Sequence, residues 1–221
     1  MADWKYILFD LDGTIMDSSC GIIRCIEYTL KAAGRPVPSR EVLLRFIGPP
    51  LVTGFQENTG MTEEEAVWAK DKYRERYNRI GLFEAEKYSG IDEVFALLKR
   101  QGRKISLATS KPEDTSVRIL EHFGLLSYFD ETTGATMDGS ISNKEDVIRE
   151  ALRRFHITEE QKEQVLMVGD RKMDIMGARQ CGIASLGVGY GFAQPGELEA
   201  AGADYVVQDM DALRHFFDKP L

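Results

Sequence analysis

The sequence predicts an α/β protein with a parallel sheet and a helical domain inserted after the first strand. From residue 86 onward, short apolar runs ended by turn residues alternate with helical patterns. This alternation is typical of parallel strands covered by helices on both faces. Residues 16–85, by contrast, contain several helical patterns and no convincing strand. A sheet crossover rarely needs about seventy residues, so we interpret this stretch as a separate domain.

The first predicted strand stands apart because charge follows it at once. Residues 6–9 are Tyr-Ile-Leu-Phe, and Asp10, Asp12 and Gly13 come directly after them. An apolar run ended by turn residues is typical of a strand buried on both faces. The other predicted strands cover residues 104–110, 129–135, 165–168, 183–188 and 205–207.

The segments between these strands are predicted to be helices, because they carry residues that commonly begin or end helices. Thr62 and Glu65 form a capping-box pattern at the start of the last helix of the insert. Pro112 stands in the first turn of a helix that Gly124 ends, and Gly102 follows the end of the preceding helix. The predicted helices cover residues 22–30, 39–47, 51–58 and 63–80 in the insert, and 91–101, 112–123, 143–156, 171–181 and 210–217 outside it.

Two domains follow from these elements. Residues 1–15 and 86–221 form the predicted α/β core, and residues 16–85 form the predicted helical domain. The chain has 221 residues, 43% of them hydrophobic, which suffices for one good core plus a smaller satellite domain.

The acidic composition excludes some classes of partner. A net charge of −8 and a pI of about 5.1 argue against nucleic acid or an anionic membrane as the main partner. The three cysteines form no CxxC pair, which favours a reducing cytosol over a disulfide framework or a zinc site. We find neither a signal-peptide pattern nor an apolar run near the roughly 20 residues of a membrane span. We therefore expect a cytoplasmic protein, with no membrane or nucleic-acid partner.

The Asp10–Asp12 pair by itself has two interpretations. Asp and Gly are common turn residues, so the stretch can be only a turn. Two carboxylates one residue apart are also costly to hold together unless a cation lies between them, which favours a divalent metal. An EF-hand loop is excluded because its sixth and twelfth positions, counted from Asp10, hold Ile15 and Gly21 instead of Gly and Glu.

Polar residues at the ends of other predicted segments favour the metal. Ligands of open parallel sheets bind outside the carboxyl ends of the strands, so groups far apart in the sequence can meet there. A carboxylate nucleophile, a second acid, a hydroxyl, an ammonium group and metal-binding carboxylates together suit phosphoryl transfer through an aspartyl phosphate. The residues at these positions are Asp10, Asp12, Thr109, Ser110, Lys144, Asp170 and Asp174.

Four segments, in this order, resemble the motifs of the haloacid dehalogenase (HAD) superfamily. They are Asp-Leu-Asp-Gly-Thr at 10–14, Thr-Ser-Lys-Pro at 109–112, Lys144, and Gly-Asp-Arg-Lys-Met-Asp at 169–174. The resemblance covers the whole chain. It implies a Rossmann-like parallel sheet core and, because the insert follows the first motif, a helical cap.

The resemblance also implies a role for each residue. Asp10 is the expected nucleophile and a Mg²⁺ ligand, and Asp12 is the expected acid and base, with its backbone carbonyl on the metal. Lys144 is expected to bind the phosphoryl group and orient Asp10, and Thr109 to bind the phosphoryl group. Ser110 either contacts the phosphate or only caps the following helix. Asp170 is the expected acidic metal ligand, and Asp174 is expected to hold the metal shell or Lys144.

Asp12 further favours a phosphatase, because the dehalogenases of the superfamily lack this second Asp. Residues 46–51, Phe-Ile-Gly-Pro-Pro-Leu, and residues 138–144 resemble the phosphoglycolate phosphatase-like and 5′-nucleotidase-like branch. We therefore expect a Mg²⁺-dependent phosphatase of a small phosphorylated metabolite, a monomer or homodimer. Phosphoglycolate and 5′-mononucleotides are the two candidate substrates. A phosphomutase and a non-catalytic Mg²⁺-binding regulatory protein are the weaker alternatives.

Lys111 and two later glycines receive no role from the sequence. Lys111 is interpreted as a surface residue, and Gly189 and Gly191 as parts of a turn.

Overall fold

The computed structural model describes residues 4–218, in which eight strands form two sheets. Six of the strands form the main sheet, in the order β5-β4-β1-β6-β7-β8, and neighbouring strands are all parallel. The other two, β2 and β3, pair with each other. The strands are β1 (Tyr6–Phe9), β2 (Met16–Asp17), β3 (Glu86–Lys87), β4 (Lys104–Pro112), β5 (Glu131–Ala135), β6 (Val165–Gly169), β7 (Ala184–Val188) and β8 (Tyr205–Val207).

Ten α-helices are present among the described residues. Four of them lie between β2 and β3, and the other six follow β3. They are α1 (Ser19–Ala32), α2 (Arg40–Leu44), α3 (Leu51–Thr59), α4 (Glu63–Tyr77), α5 (Ile91–Arg100), α6 (Glu113–His122), α7 (Lys144–Arg154), α8 (Lys172–Cys181), α9 (Glu197–Ala200) and α10 (Met210–Phe217). None of the described helices is both long and apolar enough to cross a membrane.

Strand β1 lies in the middle of the main sheet and is packed on both faces. Successive side chains of a strand point to opposite faces. Leu8 belongs to a buried cluster that includes Val147 of α7 and Ala178 of α8. Phe9 contacts the rings of Phe95 in α5 and Phe217 in α10, at centroid distances of 5.1 and 6.4 Å. Helices therefore cover both faces, and the predicted Rossmann-like α/β class is confirmed.

The chain divides into two compact units. Residues 17–86 form one, and the described residues before and after them form the other. The helical insert was expected at residues 16–85, and the unit at residues 17–86 begins and ends one residue later. Within this unit Tyr73 and Tyr77 stack at 5.1 Å between ring centroids, and Arg76 donates two hydrogen bonds to the carboxylate of Glu84.

The structure differs from the predicted elements mainly in short segments. Strands β2 and β3 and helix α9 were not expected, because two to four residues carry too little periodicity to recognise. The helix predicted at 39–47 is only five residues long, Arg40–Leu44. The predicted capping box of α4 is confirmed, with Thr62 accepting from the Glu65 N–H and Glu65 accepting from the Thr62 N–H.

Candidate active site

Three aspartates come together at one edge of the main sheet. Asp10 follows β1, Asp170 follows β6, and Asp174 lies in the first turn of α8. One carboxylate oxygen from each lies within 4.8 Å of the others. Asp170 and Asp174 are buried, at 0% and 1% exposure. Residues 160 positions apart in the sequence thus contribute to one site.

The sheet topology explains this convergence. Strand β1 pairs in parallel with β4 on one side and β6 on the other, with Phe9 opposite Leu107 and Val168. The Asp10 N–H extends the β1–β6 ladder by donating to the Val168 carbonyl at 2.9 Å. The carboxyl ends of three adjacent strands therefore lie at the same level, as expected for the ligand-binding edge of a parallel sheet.

Lys144 joins the aspartates to the neighbouring strand. Its Nζ lies 2.9 Å from Asp10 Oδ1 and 2.8 Å from Asp174 Oδ1, and it donates to the Ala108 carbonyl at 2.9 Å. Asn143 fixes the start of α7 by accepting a hydrogen bond from the Asp146 N–H. This cap places Lys144 at the first helical position, with its side chain only 5% exposed. The helix start therefore places this lysine inside the site, shielded from solvent.

Thr109 lies near the end of β4, next to the carbonyl that Lys144 contacts. It is buried, and its Oγ1 accepts a hydrogen bond of 3.3 Å from the Lys111 N–H. Because the hydroxyl oxygen is the acceptor in this bond, the Thr109 proton can be donated elsewhere. Ser110 is half-buried and does not cap α6, since Pro112 occupies the N-cap position.

Asp12 lies apart from the three aspartates and pairs with a different lysine. Its Oδ2 is 2.9 Å from Lys111 Nζ, and the two side chains are 19% and 9% exposed. Its Oδ1 is buried and has no hydrogen-bond partner among the described residues. The interpretation of Lys111 as a surface residue is wrong, because the strand turns this side chain toward Asp12.

Residues 189–192, which follow β7, hold the Asp170 side of the site. The Phe192 N–H donates to Asp170 Oδ2 at 2.7 Å, and the Tyr190 hydroxyl donates to the Thr14 carbonyl at 3.0 Å. Thr14 Oγ1 in turn donates to Asp170 Oδ1 at 3.4 Å. Gly13 has φ +79°, and a Cβ there would lie 2.0 Å from Asp170 Oδ2, so the close approach requires glycine.

This arrangement of motifs and contacts agrees with a comparison against known families. The profile described as "Haloacid dehalogenase-like hydrolase" matches residues 7–188, from β1 through β7. The chain belongs to the haloacid dehalogenase-like hydrolases. The superfamily expected from the sequence is therefore confirmed.

Similar proteins cover almost the whole hydrolase. A 5′-nucleotidase of Pseudomonas aeruginosa is 38% identical over 96% of this chain and 95% of its own length. The tyrosine-protein kinase PtkA of Mycobacterium tuberculosis is 35% identical over 95% of this chain and 71% of its own length. A crystal structure described as a predicted phosphatase from Clostridium acetobutylicum has a TM-score of 0.90, with 41% identity over 97% of this chain and 98% of that one. The predicted enzyme class, a phosphoric monoester hydrolase, is confirmed.

Burial and nearby negative charge raise the pKa values of Asp170 and Asp174 in the hydrolase. Burial raises the pKa of Asp170 well above the usual range, and the charges of Asp174 and Asp10 raise it further. Burial also raises the pKa of Asp174 to about 6, against the opposing effect of the Lys144 ammonium. Burial by itself would lower the pKa of Lys144, but the charges of Asp10 and Asp174 outweigh it and raise that pKa.

The residues fit a hard divalent cation. The donor set consists of carboxylate oxygens, which are the ligands that Mg²⁺ and Ca²⁺ take in proteins. The three carboxylates lie close enough to share one ion. Burial, and then the charges of Asp174 and Asp10, raise the pKa of Asp170, and a bound cation would offset both effects. The Asp10–Asp170–Asp174 cluster can therefore hold a metal ion.

Sequence reasoning missed the contacts of Lys111 and of residues 189–192. The position of residues 189–192 could have been predicted from the order of the strands. Strand β7 neighbours β6, so the loop that follows β7 must lie at the same edge of the sheet as Asp170. Gly191 packs there, where a Cβ would lie 2.3 Å from the Gly13 carbonyl oxygen and 2.4 Å from Asp170 Cβ. The interpretation of these glycines as a simple turn was therefore incomplete.

Proposed function

We propose that this hydrolase is a magnesium-dependent phosphatase that acts on a small phosphomonoester through an aspartyl phosphate on Asp10. One observation carries the proposal. Asp10 lies at the ligand-binding edge of the sheet, paired with Lys144 and grouped with two buried aspartates. A carboxylate so placed can attack phosphorus, while the ammonium and a cation balance the charge.

Each residue of the chain then has a chemical task. An oxygen of Asp10 attacks phosphorus as the bond to the ester oxygen breaks, and Asp12 gives its proton to that departing oxygen. Water then attacks the aspartyl phosphate, Asp12 takes the proton of the water, and inorganic phosphate leaves as the Asp10 carboxylate is restored. Lys144 orients Asp10 through their ion pair, and Thr109 donates its free proton to a phosphoryl oxygen.

The metal would be held by Asp10, Asp170 and the backbone carbonyl of Asp12, with Asp174 beside them. Magnesium supplies a positive charge that neutralises the phosphoryl oxygens during transfer. In this proposal, the helical unit of residues 17–86 determines the specificity of the enzyme for its leaving group.

The test is an assay of phosphate monoesters with magnesium and with EDTA. We expect wild type to release phosphate from p-nitrophenyl phosphate, and from 2-phosphoglycolate or a 5′-mononucleotide, only with the metal. The 5′-nucleotidase relative supports mononucleotides, and the motifs at 46–51 and 138–144 support both substrates. No turnover of any monoester, at any magnesium concentration, would refute the proposal. An isomeric sugar phosphate in place of free phosphate would indicate a mutase.

A second candidate function comes from the relative named as a tyrosine-protein kinase. Asp12 distinguishes the two, because a base beside the aspartyl phosphate favours water as the acceptor. Incubation with radiolabelled ATP and a tyrosine-containing peptide separates the outcomes. Label in the peptide supports the kinase, whereas label only in free phosphate supports the hydrolase.

Magnesium should also stabilise the fold, and more so at higher pH. The folded pKa values of Asp170 and Asp174 lie above the unfolded value, so the folded metal-free protein binds more protons than the unfolded one between about pH 4 and 6. Its free energy of unfolding therefore falls as the pH rises through this window. A bound cation favours the ionised carboxylates, so the increase in Tm with millimolar magnesium should be larger at about pH 7.5 than at about pH 5.

Thermal unfolding with magnesium or EDTA at both pH values measures this effect. Asp170→Asn should reduce the increase in Tm. Asp92→Asn, a more exposed carboxylate paired with Lys87, should leave the increase unchanged. Equal shifts for both variants would place the cation elsewhere.

A further inference from the structure

The ion pair between Lys111 and Asp12 is separate from the Lys144 pair and has no part in the reaction described so far. Lys111 Nζ contacts Asp12 Oδ2 at 2.9 Å, and both side chains are largely shielded from water. The other oxygen, Asp12 Oδ1, is buried without a hydrogen-bond partner among the described residues. The position of this carboxylate therefore depends on the Lys111 ammonium.

A bulge in strand β4 aims Lys111 at Asp12. Thr109 lies opposite Gly134 and Pro112 lies opposite Ala135, so Ser110 and Lys111 are extra residues in β4 with no counterpart in β5. Bulges change the direction in which a strand presents its side chains. The Lys111 N–H also contacts Thr109 Oγ1, which ties the bulge to the proposed phosphoryl-binding residue.

Gly134 of the neighbouring strand makes room for this bulge. A Cβ at Gly134 would lie 2.7 Å from the Lys111 carbonyl oxygen and 2.6 Å from Glu113 Cα, which a side chain cannot tolerate. The Gly134 N–H donates instead, at 3.1 Å, to Oε2 of Glu113, which is the first residue of α6. Hydrogen bonds therefore hold the chain on both sides of the bulge, at Thr109 and at Glu113.

We propose that Lys111 is a positioning residue that holds Asp12 in place to protonate the leaving group. The proposal rests on the proposed function, in which Asp12 gives a proton to the departing oxygen. With Lys111 in place, Oδ2 is anchored and Oδ1 has a fixed direction. Without the ammonium, the carboxyl group rotates among several orientations, and proton donation slows while attack by Asp10 does not.

The expected signature is a dependence on the leaving group. Phenolate is a much more basic leaving group than p-nitrophenolate and needs a proton in the transition state far more. Lys111→Met should therefore lower kcat/KM for phenyl phosphate about 10-fold or more beyond any loss with p-nitrophenyl phosphate, as expected for impaired general acid catalysis. Lys111→Arg, which keeps the charge and can reach the carboxylate, should restore most of the ratio.

The experiment measures kcat/KM for both esters in wild type, Lys111→Met, Lys111→Arg and the exposed control Lys5→Met. For each variant, kcat/KM for the two esters is measured on the same preparation. A fraction of misfolded protein lowers both values equally, so it does not change their ratio. Equal losses with both esters would overturn the proposal and indicate that Lys111 binds the phosphoryl group. Wild-type kcat/KM with both esters in Lys111→Met would also overturn it. Failure of the proposed function looks different, since wild type itself would then hydrolyse neither ester.

Discussion

Asp10→Asn should abolish phosphatase turnover while the protein stays folded. An amide cannot form the aspartyl phosphate, so kcat should fall by about 10⁴-fold or more, equivalent to about 5 kcal/mol of transition-state stabilisation. The fold should persist because Lys144 keeps Asp174 at 2.8 Å and the Ala108 carbonyl at 2.9 Å. Single-turnover assays and thermal unfolding of the same preparation measure the two effects.

Asp10→Ala serves as a second variant, since an alanine cannot revert to aspartate by deamidation. The matched control is Asp92→Asn, which changes a partly exposed ion pair with Lys87 and should leave kcat unaltered. If Asp10→Asn or Asp10→Ala keeps wild-type turnover, Asp10 is not the nucleophile. If Asp10→Asn unfolds, Asp10 also has a structural role that the remaining contacts of Lys144 do not replace.

Lys144→Met should remove activity and also destabilise the metal-free protein strongly. The substitution leaves Asp10 and Asp174 without the ammonium that now contacts both, and it leaves the Ala108 carbonyl without this donor. Removing one partner of a buried ion pair typically costs about 3–5 kcal/mol of unfolding free energy. We expect a loss of that size at neutral pH, measured by urea unfolding in EDTA.

Two further measurements make the Lys144 result specific. The loss of unfolding free energy in Lys144→Met should be smaller at about pH 5, because the unpaired carboxylates take up protons there. It should also be smaller with magnesium, because the cation replaces part of the missing positive charge. Lys104→Met, which removes a lysine that is 56% exposed and paired with Asp130, should cost less than about 1 kcal/mol. Similar losses for both lysines would mean that the buried pairs do not hold the site together.

The location of the site could be predicted because chemistry and periodicity change at the same positions. Apolar runs end at Phe9, and again just before Gly169 and Asp170, where carboxylates begin. Parallel pairing then requires the ends of adjacent strands to meet, whatever their separation in the sequence. Lys144 was recognisable for a related reason, since Asn143 is a strong N-cap and fixes where the helix begins.

The direction of Lys111 could not be predicted, because it depends on a residue in another strand. Strand periodicity places residues 109 and 111 on one face, and only the register shift against Gly134 and Ala135 changes this. The hydrogen bond from the Phe192 N–H to Asp170 could not be predicted either, because every residue except proline has a backbone N–H and the sequence does not show where it points. Local patterns thus located the carboxylates, whereas the contacts that orient them arise from pairing across the sheet.

The central position of β1 also has a consequence for the order in which the protein can form. Its two neighbours begin at Lys104 and Val165, so β1 leaves the ribosome about a hundred residues before either partner exists. At the usual rate of synthesis this delay lasts on the order of 5–20 s. During that time an apolar strand with two unpaired edges is open to the wrong partners. Production at low temperature or with extra chaperone should therefore raise the soluble yield of this protein.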